Sequence, residues 1–127
     1  MLPLSLLNEA IVRSDGVGPV IDSFDKTGKL LVLTLDISRI VEQESLAVSI
    51  WGSPDGVVWG LAPLDSFPYK FYCGTYSRLL NLAAHPEIRY LSVRWKINHR
   101  GRPGSIPMVG FHVEAEESGS RIQRAVA

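Results

Sequence analysis

Four runs of alternating apolar and polar side chains constrain this chain more than any other feature. In Leu30–Ile37, the residues Leu31, Leu33, Leu35 and Ile37 share one parity, and in Leu46–Trp51 so do Leu46, Val48 and Ile50. Arg89–Ile97 repeats the pattern with Leu91, Val93, Trp95 and Ile97, and Val109–Ala115 with Val109, Phe111, Val113 and Ala115. Successive side chains of a pleated strand leave opposite faces, so these runs predict half-buried β-strands. A helix needs apolar spacings of three and four, and no long window supplies them.

Turn chemistry separates the runs. Asp15-Gly16, Gly18-Pro19 and Thr27-Gly28 break the N-terminal part. In Ser53-Pro54-Asp55-Gly56 the proline presets φ and the glycine accepts a positive one. His99 to Ser105 holds Gly101, Pro103 and Gly104, which predicts a hairpin-like loop between the last two long strands. Weaker strands are expected near Ala10–Arg13, Val20–Asp22, Val57–Leu61, Tyr69–Cys73 and Ser77–Leu82, with a turn or bulge at Ile40–Ser45. Leu79–Ala84 is also compatible with one helical turn, closed by His85-Pro86. Many short strands at such spacing predict an all-β fold: an antiparallel two-sheet β-sandwich, jelly-roll-like, of about eight strands. Its expected core is Leu31, Leu33, Leu35, Val48, Ile50, Trp59, Leu91, Val93, Trp95, Phe111 and Val113.

The 127 residues fit one domain that can bury a core of its own. We place that domain at 1–116 and read 117–127 as a polar C-terminal tail. Cys73 is the single cysteine, so no internal disulfide is possible and a reducing compartment or a virion-like particle is expected. The apolar start Met1–Leu7 is stopped by Asn8 and Glu9, so no signal peptide is expected. The expected location is cytoplasmic or virion-associated, without a membrane partner. Thirteen basic residues balance thirteen acidic ones. That balance gives no field to draw in nucleic acid, and it leaves self-association easy.

Catalytic and ligand patterns are thin. His85, His99 and His112 have no spacing that ties them to Cys73, which reads as a buried inert thiol. Asp55, Glu114, Glu116 and Glu117 are possible oxygen ligands, but a solvated edge explains them. Gly16-Val17-Gly18 lacks the third glycine and the helix of a phosphate loop. No cofactor, metal or enzyme activity is expected. Lys96, His99, Arg100 and Arg102 form a basic loop able to grip an anion or an acidic partner. The outward parity is more unusual. Leu30, Val32, Trp51, Tyr90 and Arg94 stand where solvent is expected, and these are residue types that interfaces favour. They form the candidate interface.

Two stretches carry a resemblance. Ser53-Pro-Asp-Gly-Val-Val-Trp59 is an S-x-D-G-x-x-W turn after an alternating strand, and Arg89-Tyr-Leu-Ser-Val93 is an R-Y-L-x-V strand. Together they resemble small β-sandwich proteins of phage structural gene sets and bacterial genomes. They are also similar to the galactose-binding-like jelly roll of discoidin type, with its D-G-x-x-W turn and A-R-Y-I-R-I strand. The resemblance covers about Leu30 to Ala115 and implies structural roles for Asp55, Gly56, Trp59 and Trp95. Neither family implies an enzyme. The outward apolar set Leu30, Val32 and Trp51 predicts a structural or assembly module that packs against its own copies or other structural proteins; the alternative is a carbohydrate-binding module whose site is formed by loops around Trp51, Tyr90, Arg94, His99 and Arg100.

Overall fold

A computed structural model describes residues 4–23, 29–41, 44–99 and 107–117. Nine strands form among them: β1 (Leu4–Val12), β2 (Gly16–Val17), β3 (Ile21–Asp22), β4 (Leu30–Ile40), β5 (Glu44–Ser53), β6 (Asp65–Lys70), β7 (Gly74–Asn81), β8 (Tyr90–His99) and β9 (Val109–Glu117). A 3₁₀ turn at Leu82–Ala84 follows β7, with the Asn81 side chain accepting the Ala83 N–H. One sheet has the order β1-β9-β4-β7; the other has β2-β8-β5-β6, with β3 also on β8.

The pairing is nested. β1 pairs with β9, β2 and β3 with β8, β4 with β7, and β5 with β6, all antiparallel. The halves join through β4 on β9 and β5 on β8. β2 and β3 act as one interrupted strand, so the fold is an eight-stranded jelly roll. The four strongly alternating runs are its four central strands, buried on one face as their spacing predicts.

The weaker expectations shift for physical reasons. The last two long strands do not form a hairpin, because β8 and β9 lie in different sheets; most of the loop between them lies outside the described residues. Val57–Leu61 is not a strand. The Asp55 carboxylate accepts the N–H groups of Val57 and Val58, both at 2.9 Å, and winds the chain into a turn. β6 runs from Asp65 to Lys70 rather than over Tyr69–Cys73, since an edge strand tolerates Pro68. β1 is longer than Ala10–Arg13. Its register on β9 shifts twice, so neighbours Leu6 and Leu7 are both buried and the alternation is hidden. β9 ends at Glu117, one residue past the expected boundary, and the expected tail beyond it lies outside the described residues.

Leu31, Leu33, Leu35, Val48, Ile50, Leu91, Val93, Phe111 and Val113 are all buried between the sheets, joined by Leu6, Ile37, Leu46, Phe67 and Val109. The two tryptophans differ from the expectation. Trp59 is half-buried in the β5–β6 loop, outside this cluster. Trp95 points inward and meets Phe111 edge-on, with centroids 5.7 Å apart and planes at 74°. It is only partly buried, at the margin where the chain passes from β1 to β2. Its indole N–H donates to the Ser14 carbonyl at 3.0 Å. The chain crosses it so closely that a Cβ on Gly16 would lie 2.5 Å from the indole.

Phe111→Ala should cost about 3–5 kcal/mol by removing a wholly buried ring, and Gly16→Ala about 1–3 kcal/mol by displacing Trp95; urea unfolding measures both. Asp55 gives a pH signature. The N–H groups of Val58 and Val57, then the Ser53 hydroxyl, hold its carboxyl below the ordinary value of 3.8. A depressed folded-state pKa stabilises above the unfolded value, and that contribution fades as pH falls through the folded one. Asp55→Ala should therefore be less stable than wild type at neutral pH, with the gap closing below pH 3.8 in an acid titration of stability.

Candidate functional site

Alternation that buries Val48, Ile50, Val93 and Trp95 must place Ala47, Ser49, Trp51, Arg94 and Lys96 on the outer face of the five-stranded sheet. The register sets Ala47 opposite Lys96, Ser49 opposite Arg94 and Trp51 opposite Ser92. Ala47 and Ser49 are small and keep the floor low. Trp51 and Arg94 are diagonal neighbours and meet: the guanidinium carbon lies 4.1 Å from the indole centroid. Ser49 fixes the ring from below, its Oγ accepting the Trp51 Nε1–H at 2.9 Å. Arg94 Nε is buried and has no hydrogen-bond partner among the described residues.

Two walls turn this floor into a groove of about 780 Å³. On the β6 side, Leu46 faces Lys70 while Val48 faces Phe67, so Pro68 and Tyr69 bulge opposite Ala47 alone. They line the groove with Pro63 and Ser66. On the β8 side the wall is Asp15–Val17. Asp15 is fixed there by accepting the Ile97 N–H at 2.8 Å, and the chain just beyond by the Gly18 N–H donating to the Val93 carbonyl at 2.7 Å. The lining is mostly aromatic, proline and aliphatic surface, with Arg94 and Lys96 as its cations and Asp15 as its carboxylate.

The structure divides the predicted interface. Trp51 and Arg94 come together in the groove. Tyr90 shares their face but lies at its far end, opposite Ser53 and packed over Gly56, outside the groove lining. Leu30 and Val32 stand on the outer face of the other sheet, 38% and 9% exposed, beside Leu79. Of the basic loop, Lys96 lines the groove and His99 ends β8. Arg100 and Arg102 lie outside the described residues. Sequence reasoning missed Tyr69, Pro63, Pro68 and Asp15; proline inside an aromatic run was the available sign of an edge bulge.

The other candidates stay apart. Cys73 is exposed rather than buried, because it sits in the β6–β7 turn. His85 follows the opposite end of β7, a strand length of about 26 Å away at the usual rise. Glu114 and Glu116 do share the outer face of β9 with His112, whose Nε2 lies 3.9 Å from Glu114 and 4.0 Å from Asp36. Among the described residues no three His, Cys, Asp or Glu side chains are placed to hold a metal ion. No helix among them is long and apolar enough to cross a membrane.

No protein-family model matches the sequence, and no curated protein matches it either. Among solved structures, a chain from infectious bursal disease virus, Gx strain, superposes with a TM-score of 0.45 at 9% identity. The match covers 90% of this chain and 31% of that one, so this chain spans under a third of its length. A likeness at that level carries no argument about function.

Proposed function

We propose that the chain is a non-enzymatic structural or assembly module, phage-like or oligomeric, that acts through protein–protein contacts with its own copies or other structural proteins. The Trp51–Arg94 stack in its groove carries this reading. Tryptophan, tyrosine and arginine dominate the energetics of protein interfaces, and do so in partly desolvated pockets. Here Trp51, Arg94 and Tyr69 line one such depression. Beside Trp51 the Arg94 guanidinium lines the groove, and its charge suits a partner's carbonyl or carboxylate. The zero net charge opposes association only weakly. A virion-associated or cytoplasmic setting goes with this reading, as does the resemblance to phage structural β-sandwiches.

Carbohydrate binding of the galactose-binding-like kind is the second reading. The groove volume suits a small ligand, and its lining is apolar with a few polar groups. Against it, a sugar stacks on an open aromatic face, and Arg94 already covers one face of Trp51. Jelly rolls serve viral capsids and lectins alike, so topology does not choose between the two.

The expected outcome is a mass that grows with concentration in sedimentation velocity. Trp51→Ala should weaken the groove contact by at least ~30-fold, the loss of an interface hot spot. A strict monomer at the highest reachable concentration would overturn the assembly reading. A glycan-array signal that disappears in Trp51→Ala would replace it with the carbohydrate one.

A further inference from the structure

A jelly roll leaves four strand edges, two on each sheet, and a bare edge offers unpaired N–H and C=O groups to any strand that reaches it. Three of the four are closed here. β1 shifts register on β9 between Ser5 and Leu7 and again between Leu7 and Ala10, and such irregularity bends an edge out of pairing geometry. β6 carries Pro68 within its own bulge. The β2–β3 edge is two two-residue pieces on either side of Pro19.

β7 has none of these devices. It runs eight residues without a proline, in unbroken register with β4 from Gly74 opposite Ile37 to Asn81 opposite Leu30. Its one charged side chain, Arg78, is held by Asp65 at 2.9 Å. No strand lies on its far side among the described residues. On the outer face beside it, Leu79 is 61% exposed, next to Val32 and Leu30.

We infer that β7 pairs antiparallel with β7 of a second copy of this chain, about a twofold axis, joining two four-stranded sheets into one of eight. The inference rests on the assembly reading above and names a surface the copies share. A twofold axis makes the strand its own partner, so its sequence must be self-complementary. Facing residues of an antiparallel pair lie on one side of the sheet, so the axis passes beside a residue rather than between two. Beside Arg78 it would set two guanidinium groups against each other, which costs stability. Beside Tyr76 or Leu79 it would leave much of the strand unpaired. Beside Ser77 it pairs the whole stretch from Gly74 to Leu80. There Tyr76 faces Arg78 of the second copy, a cation beside a ring, and Thr75 faces Leu79 of the second copy, both twice by symmetry. Within β7 itself no like charges face each other in that register, although Lys70 of the same chain already lies 4.7 Å from the Tyr76 ring centroid. This charge pattern favours a second copy over an unrelated strand.

Thr75 and Leu79 are exposed, so charges placed there leave the core intact. Thr75→Lys with Leu79→Lys sets lysine against lysine twice across the axis, while Thr75→Lys with Leu79→Glu sets lysine against glutamate twice. By sedimentation velocity, with folding checked by circular dichroism, wild type should dimerise. The Lys/Lys variant should dissociate at least about tenfold more readily, and the Lys/Glu variant should recover most of that loss. A dimer indifferent to both double variants, or a Lys/Glu variant as weak as Lys/Lys, overturns the edge pairing and leaves the assembly reading standing. A monomer at every concentration overturns both.

Discussion

The rest of the structure depends on two antiparallel ladders, β4 with β9 and β5 with β8, turning their apolar sides toward each other. Each ladder joins two long strands, and their inward residues, from Leu31 to Ile37, Leu46 to Ile50, Leu91 to Val93 and Val109 to Ala115, are sealed from solvent. Neither ladder could stand alone with one greasy face in water. Their stacking therefore fixes register as well as position, because a slip of one residue would turn every buried side chain outward. The remaining strands attach to this double ladder: β1 and β7 flank one, β6 and the β2–β3 pair the other. Even Glu44, buried at the start of β5, serves it by accepting the Met108 N–H where the chain enters β9.

That division of labour explains what could be read from the sequence. A central strand sees the core on one side and another environment on the other, so Leu31–Ile37 and Leu91–Ile97 display their period openly. A peripheral strand is shaped by accidents of its edge. β1 hides its period behind two register shifts, and β6 contains a proline that would disqualify it as a central strand. The Val57-Val58 pair has strong β-propensity, yet Asp55 captures both N–H groups locally, and a local side-chain acceptor wins over a distant ladder. Nested connectivity was the least legible feature. Which strand pairs with which is decided by contacts between residues as distant as Leu4 and Ala115, and alternation carries no record of them.

The parts of the groove differ in the same way. Parity alone turned Trp51 and Arg94 outward, and the β5–β8 ladder then put them on one face as neighbours. Parity could not place Leu30 and Val32 relative to them, since outward faces of two sheets point in opposite directions. The walls were beyond sequence reasoning for a further reason. Tyr69 and Asp15 line the groove only because a bulge and a backbone hydrogen bond from Ile97 hold them there.

A sandwich of this kind spends its inward residues on stability, which leaves its outer faces and edges free to differ without changing the fold. The two outer faces here differ in character. One carries a preformed Trp–Arg stack whose geometry is already set by Ser49, so an occupant would meet an ordered surface and lose little entropy ordering it. The other combines a modest apolar patch with the β7 edge, unpaired among the described residues, where backbone pairing would supply affinity and side chains register. Their placement on different sheets would give an assembling domain two directions of contact that do not compete for space. A module with one such surface can form a closed pair, whereas a module with two can extend an assembly. The inward alternation makes either possible because it fixes both sheets rigidly against each other.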